Sequence, residues 1–110
     1  MSRSVSESDW KVFRQLHPVA LERYCQQVLA EVAALTADPE RTAHERYLKI
    51  FEIMRQRDRD LGYAFNDLRR STAMMRIMAI HSLELFTEEE LGRFSQEMRD
   101  KLAQLFSRED

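Results

Sequence analysis

The stretch from Thr42 to Phe86 constrains the fold more than any other part of this chain, because it contains no proline and its large apolar residues recur in steps of four and three. Such spacing places side chains along one side of an α-helix and is typical of helices that pack against another helix. We call this line of residues the seam and expect it to form an interface. Its predicted interface residues are Tyr47, Phe51, Met54, Asp58, Leu61, Phe65, Leu68 and Thr72.

An unbroken helix over this stretch would be about 68 Å long, at 1.5 Å per residue. A compact domain of this size has a diameter of only roughly 35 Å. The helix would extend beyond its own domain, and a second copy of the chain would have to cover its apolar side. The sequence therefore predicts a homodimer.

The alternative is a break at Gly62, which would divide the stretch into helices over 42–60 and 63–86. A glycine that ends a helix usually comes with an apolar contact to the preceding turn, but Arg57 and Asp58 stand at that place. A single glycine inside a helix costs only about 1 kcal/mol relative to alanine. We therefore favour the unbroken helix.

Two polar residues, Asp58 and Thr72, interrupt the apolar seam. A polar group at such a position often determines the register or the number of chains in a helical assembly. We expect Asp58 to meet Arg55 or Arg57 of a second copy. The other interpretation is that Asp58 and Thr72 mark an exposed edge where the helix turns away from its partner.

The remaining segments also predict helices. A long first helix, with its N-cap at Ser6 or Ser8, should be kinked at Pro18 and end near Thr36. The central helix should begin between Pro39 and Ala43. The segment 73–86 is apolar on nearly every side, which predicts the centre of the core. A capping box at Thr87 should start one last helix.

The sequence thus predicts an all-α fold of three to four antiparallel helices in a single domain, residues 1–110, completed by dimerisation. Residues 1–5 are expected to be frayed and residues 107–110 to form a polar tail. The single cysteine excludes a disulfide framework, and no apolar run suggests export or membrane insertion, so we expect a cytoplasmic protein. The net charge of −2 creates no strong attraction to nucleic acid or anionic lipid.

Several chemistries are disfavoured. Two glycines in the whole chain are too few for a P-loop or a dinucleotide-binding turn. Cys25 lies on an apolar helix flank, which indicates an inert thiol rather than a nucleophile. We expect neither enzyme activity nor a cofactor.

The best metal candidate is a soft Cu(I) site at Met74, Met78 and His81. The alternative is that these methionines fill an irregular core.

An arginine-rich helix face suggests an alternative function in binding nucleic acid. Its residues are Arg55, Arg57, Arg59, Arg69 and Arg70. Aspartates interleave with these arginines and no helix-turn-helix pattern is present, which speaks against a dedicated binder. We therefore favour a self-associating, non-enzymatic helical interaction module that acts as a small regulator or adaptor, and keep a nucleic-acid-associated regulator as the alternative.

Overall fold

A computed structural model describes residues 5–107, which form five α-helices and one short 3₁₀ turn. Their bounds are α1 Glu7–Thr36, α2 Ala43–Phe65, the 3₁₀ turn Arg70–Thr72, α3 Ala73–Ser82, α4 Glu88–Leu91 and α5 Gln96–Ser107. No strand occurs within these residues, so the predicted all-α class is confirmed. None of these helices is both long enough and apolar enough to cross a membrane.

The predicted ends of the chain lie largely outside the described residues, which leave out 1–4 and 108–110. Within them, Val5 is buried rather than frayed, and Arg70 donates a hydrogen bond to its carbonyl oxygen at 3.0 Å. Ser107 belongs to α5 rather than to a polar tail.

Local sequence determines where three of the helices begin. Ser6 caps α1, and both Thr42 and Thr87 form capping boxes with the glutamate three residues later, Glu45 for α2 and Glu90 for α4. In each case a side-chain oxygen accepts a backbone N–H that the helix itself cannot satisfy. Ser6 is one of the two caps predicted for α1, and the capping box predicted at Thr87 is confirmed. Helix α2 begins at Ala43, the last position of the range predicted for its start. Helix α1 continues through Pro18 and ends at Thr36, also as predicted.

The prediction of one long central helix is wrong, and so is the alternative break at Gly62. Helix α2 passes through Gly62 and ends at Phe65, and the N–H of Asn66 closes its last turn by donating to the Gly62 carbonyl oxygen. Asp67 then adopts a left-handed conformation with φ of 55°. Aspartate tolerates that conformation better than most residues, so the chain turns away at this point.

Contacts with α1 explain why α2 ends where it does. The Phe65 ring is buried, with its centroid 5.4 Å from the His17 ring and 6.1 Å from the Tyr24 ring. The His17 Nε2 atom also lies 2.9 Å from the Phe65 carbonyl oxygen, within hydrogen-bonding distance. These contacts hold the end of α2 against α1, which the spacing of apolar residues within 42–86 does not reveal.

The predicted last helix is divided in two, because a buried carboxylate holds the start of α5. Asp9 is only 4% exposed, and its two oxygens accept the Ser95 backbone N–H and the Ser95 hydroxyl, each at 2.7 Å. The Ser95 Oγ atom in turn accepts the Met98 N–H at 3.2 Å, as an N-cap does. Ser95 therefore begins a new helix. Together with the end of α2 at Phe65, this gives five α-helices within residues 5–107 rather than three or four.

The core is one cluster of side chains built on α1. The buried residues of this cluster from α1, α3 and α5 are Phe13, Leu16, Ala20, Tyr24, Val28, Ala73, Ile77, Ile80, Met98 and Leu102. Helix α3 ends at Ser82 instead of continuing to Phe86, and Glu84 follows in a left-handed conformation with φ of 58°. The turn carries Leu85 and Phe86 into the core.

A bidentate ion pair joins the middle of α1 to the capping box of α4. The two terminal nitrogens of Arg23 donate to the Glu90 carboxylate at 2.6 and 2.8 Å, and Arg23 also donates to the Leu85 carbonyl oxygen at 2.8 Å. The hydrogen bonds from Arg23 hold the pKa of the Glu90 carboxyl below its usual value. Their effect outweighs that of burial, which alone would raise this pKa.

We predict that Asp9→Ala lowers the free energy of unfolding by about 2–4 kcal/mol, because it leaves the N–H and hydroxyl of Ser95 without their buried acceptor. Urea unfolding at pH 7 measures this change as a lower midpoint with an unchanged slope. Asp100→Ala is the control, since Asp100 is exposed and its removal should change stability by less than about 0.5 kcal/mol. Equal effects of the two substitutions would contradict the role given to Asp9.

We also predict an acid-dependent contribution from Glu90. Because its pKa is lowered in the folded state, ionised Glu90 stabilises the fold above the usual carboxyl pKa, and this stabilisation is lost as pH falls through the lowered value. Glu90→Gln keeps a capping side chain but removes the charge. Thermal unfolding should show the variant less stable than the wild type at pH 7, with the difference shrinking below pH of about 4.5. A stability difference between variant and wild type that is the same at pH 3 as at pH 7 would contradict this prediction. Glu97→Gln, at an exposed position, is the control.

Candidate functional site

The connected ends of α1 and α2 form an arm, residues 29–52, that contributes no buried residue. The last buried residue of α1 is Val28 and the first of α2 is Ile53. The remaining residues, which we call the body, contain the core. The molecule measures 53 × 29 × 23 Å, and its radius of gyration of 16.7 Å exceeds the roughly 13 Å typical of a compact domain of this length. The arm therefore extends away from the body.

Contacts between α1 and α2 run along their whole shared length. Near the tip, Arg46 donates to the Thr36 carbonyl oxygen. Farther in, Arg57 makes two hydrogen bonds to Glu31, at 2.9 and 3.0 Å, which lower the pKa of that carboxyl. The Tyr24 hydroxyl donates to the Arg57 carbonyl oxygen at 3.1 Å. The arm is thus held together by polar contacts as well as by packing.

An apolar stripe on α2 is exposed along this arm. Tyr47 is 68% exposed, Phe51 57% and Met54 44%, and their spacing places them on one side of the helix. Met54 directly follows Ile53, which is buried. Asp58 directly follows Arg57, which pairs with Glu31 of α1. One residue corresponds to about 100° of helix rotation, so the side is turned away from α1. We call Tyr47, Phe51, Met54 and Asp58 the α2 stripe.

The outer half of the predicted seam falls on the α2 stripe and the inner half does not. Asp58 is exposed and continues the stripe, whereas Leu61 is half-buried and packs against the core. Phe65 belongs to the core itself. Leu68 and Thr72 lie beyond the end of α2, so they do not continue its side, and their assignment to a helical seam is wrong.

Two exposed leucines of the arm were not among the predicted site residues. Leu48 is 51% exposed beside Tyr47, and Leu29 on α1 is 65% exposed. Leu29 directly follows Val28, the last buried residue of α1, so it is exposed because the body ends there. The spacing of apolar residues in the sequence does not show where the body ends. Leu29, Leu48, Tyr47 and Phe51 thus give the arm four exposed large apolar residues.

The five predicted nucleic-acid-binding arginines do not share one free surface. Arg57 is held by Glu31 and lies 4.0 Å from Asp60, Arg69 pairs with Asp67 at 3.6 Å, and Arg70 binds the Val5 carbonyl oxygen. Arg59 is exposed, and Arg55 is exposed with its guanidinium carbon 5.7 Å from the centre of the Phe51 ring. Three of the five therefore serve contacts within the chain.

A cleft of about 940 Å³ opens between the end of α2, the 3₁₀ turn, α3 and α5. Its lining residues are Asp60, Tyr63, Ala64, Ser71, Thr72, Met74, Met75, Met78, Ala79, Ser82, Leu83, Lys101, Gln104 and Leu105. Helix α3 buries Ala73, Ile77 and Ile80 on one side and faces the cleft on the other. The prediction that this segment forms the centre of the core therefore holds for one side of α3 only. The side that carries Met74, Met75 and Met78 faces the open cleft.

The three candidate metal ligands do not share one surface of α3. Met74 and Met78 line the cleft, but His81 does not and is buried, and desolvation lowers the pKa of its imidazole. Among residues 5–107, no group of three or more His, Cys, Asp or Glu side chains is placed to hold a metal ion. Cys25 is half-buried on α1. His17, eight residues earlier on the same helix, lies within hydrogen-bonding distance of the Phe65 carbonyl oxygen.

No protein-family model matches this chain, and no curated protein or solved structure is significantly similar to it. The functional interpretation therefore depends on the two surfaces described above, the exposed α2 stripe and the methionine-lined cleft.

Proposed function

We propose that this protein is a non-enzymatic helical interaction module that self-associates through the α2 stripe and works as a small regulator or adaptor in the cytoplasm. The observation that carries the proposal is the row of Tyr47, Phe51 and Met54, all more than two-fifths exposed. Tyr47 and Phe51 lie on the projecting arm, and Met54 directly follows it on the same side of α2. A second copy of the chain is the partner, and an antiparallel pair of helices from each copy would complete a four-helix bundle.

The chemistry of the α2 stripe supports an interface rather than a solvated surface. Aromatic residues and methionine are enriched in the centres of protein interfaces, and contiguous apolar patches on monomers often mark interaction sites. Leu48 and Leu29 are further exposed apolar residues of the same arm. Two identical stripes that meet across a two-fold axis are self-complementary, since each presents the same residues to the other.

Charged residues beside the stripe suggest how two copies would be aligned. Asp58 follows Met54 by one turn and is exposed. Arg57 is already bound to Glu31, whereas Arg55 makes no ion pair with any carboxylate among residues 5–107 and rests on Phe51, inside the stripe. Of the two arginines considered for Asp58, we therefore favour Arg55 of the second copy.

The same contacts favour protein interaction over nucleic-acid binding. A basic surface binds phosphates when its side chains are free to reach them. Arg57, Arg69 and Arg70 are bound within the chain, and the net charge is −2. The lone Cys25 is compatible with a reducing compartment, where it would remain a thiol.

We predict that Phe51→Glu raises the dissociation constant of the dimer at least about 30-fold, the factor expected for losing one central contact worth about 2 kcal/mol. Sedimentation velocity over a concentration series measures the change. Leu68→Glu is the matched control, because Leu68 is also apolar and exposed but lies beyond α2. A wild-type protein that stays monomeric at high concentration, or equal effects of both variants, would contradict the proposal.

A charge exchange tests the alignment. Asp58→Arg and Arg55→Asp should each weaken association, and the double variant should recover most of the loss because the interchain pair is restored with its charges reversed. Native mass spectrometry reports the fraction of dimer for each protein. If dimerisation withstands both single changes, or if Asp58→Leu alters neither the association state nor thermal stability, Asp58 does not determine the register.

A further inference from the structure

Helix α3 combines an apolar composition with an uncovered side. Of its ten residues, only Arg76, His81 and Ser82 are polar. Helices that are apolar all round are normally enclosed by protein. Here Met74, Met75 and Met78 instead line the cleft, and Met75 is 41% exposed. The side of α3 that faces away from the core is therefore apolar and only partly covered by residues 5–107.

The cleft has the form of an open trough between helices rather than an enclosed pocket. Its floor includes the buried Ala64 and the half-buried Met74, Met78 and Ala79, while Tyr63 and other residues of its walls are exposed. Sites for small molecules usually enclose most of the ligand surface. A trough bounded by α2, α3 and α5 is better suited to an elongated partner that contributes one more helix.

The walls of the trough carry opposite charges. Lys101 on α5 is exposed, and Asp60 on α2 stands on the other wall. Each is only loosely engaged within the chain, Lys101 with Glu97 at 3.5 Å and Asp60 with Arg57 at 4.0 Å. A helix lying between them would be oriented by an acidic residue towards α5 and a basic residue towards α2.

We infer that this trough binds an amphipathic helix of a partner protein. The apolar side of the partner helix, with anchors at i, i+3 or i+4 and i+7, packs against Met74, Met75 and Met78, whose flexible side chains adapt to its shape. An acidic residue of the helix pairs with Lys101 and a basic residue pairs with Asp60.

This site goes beyond self-association and does not depend on it. Asp58 in the α2 stripe and Tyr63 in the trough are five residues apart, which corresponds to about 140° of rotation around the helix. The two surfaces therefore lie on nearly opposite sides of α2. A dimer would present two such troughs, each open to its own partner.

A displayed library of amphipathic helices of about 15 residues tests the inference. Its apolar positions vary among Leu, Ile, Phe and Met, and its flanking positions among Glu, Lys and Gln. Fluorescence polarisation then measures the affinities of the selected peptides. Peptides selected on the wild type should carry acidic residues along one flank and should bind Lys101→Glu at least tenfold more weakly. Selection on the Lys101→Glu protein should enrich basic residues at the same flank.

Three variants determine where the selected peptides bind. Met75→Glu, at an exposed wall position, should also weaken binding at least tenfold without unfolding the protein. Lys49→Glu, on the arm, should leave binding unchanged. Phe51→Glu should bind the peptides normally even as it disrupts self-association, so the two proposals fail separately. The inference is overturned if no helical peptide is enriched, or if the selected peptides bind Met75→Glu and Lys101→Glu as tightly as the wild type.

Discussion

The architecture depends on the length over which the apolar face of α1 is buried in the core. From Phe13 to Val28 this face contributes buried residues to the core, and beyond Val28 α1 has no buried residue. Burial of apolar surface is the main favourable term in folding, so the helices gather where the α1 face has most partners. The remaining length of α1 and the start of α2 are left as an arm. The exposed α2 stripe is a direct result of that unequal coverage.

Two polar contacts hold the C-terminal helices on this support. Asp9 binds the start of α5, and Arg23 binds the capping box of α4 through Glu90. Buried or half-buried charges are costly unless they are fully hydrogen-bonded, so each contact tolerates little change of geometry. They orient the four-residue α4, which has no buried residue, and the start of α5, whose Met98 and Leu102 pack into the core. The placement of α5, and with it one wall of the trough, depends on Asp9 and Ser95.

The two candidate surfaces have different origins. The α2 stripe is exposed because the arm projects beyond the core, whereas the trough is open because α3 has more apolar sides than its neighbours can cover. Because the two surfaces lie on nearly opposite sides of α2, the proposed self-association and the proposed binding of a partner helix would not compete for one surface. Such a separation is what the proposed adaptor role requires.

The sequence by itself determined the all-α class, the capping box at Thr87 and the end of α1, because these depend on residues within one or two turns of each other. It limited the cap of α1 to Ser6 or Ser8 and the start of α2 to residues 39–43. It also identified Tyr47, Phe51 and Met54 as one side of a helix. Only the tertiary structure decided that α2 ends at Phe65, since the regular spacing continues into residues that are not helical, and the Phe65 contacts with His17 and Tyr24 join distant parts of the chain. The division of the last helix at Ser95 likewise required Asp9, 86 residues away. Which apolar residues stay exposed was decided by the same long-range packing, because helical spacing defines a side but not what covers it.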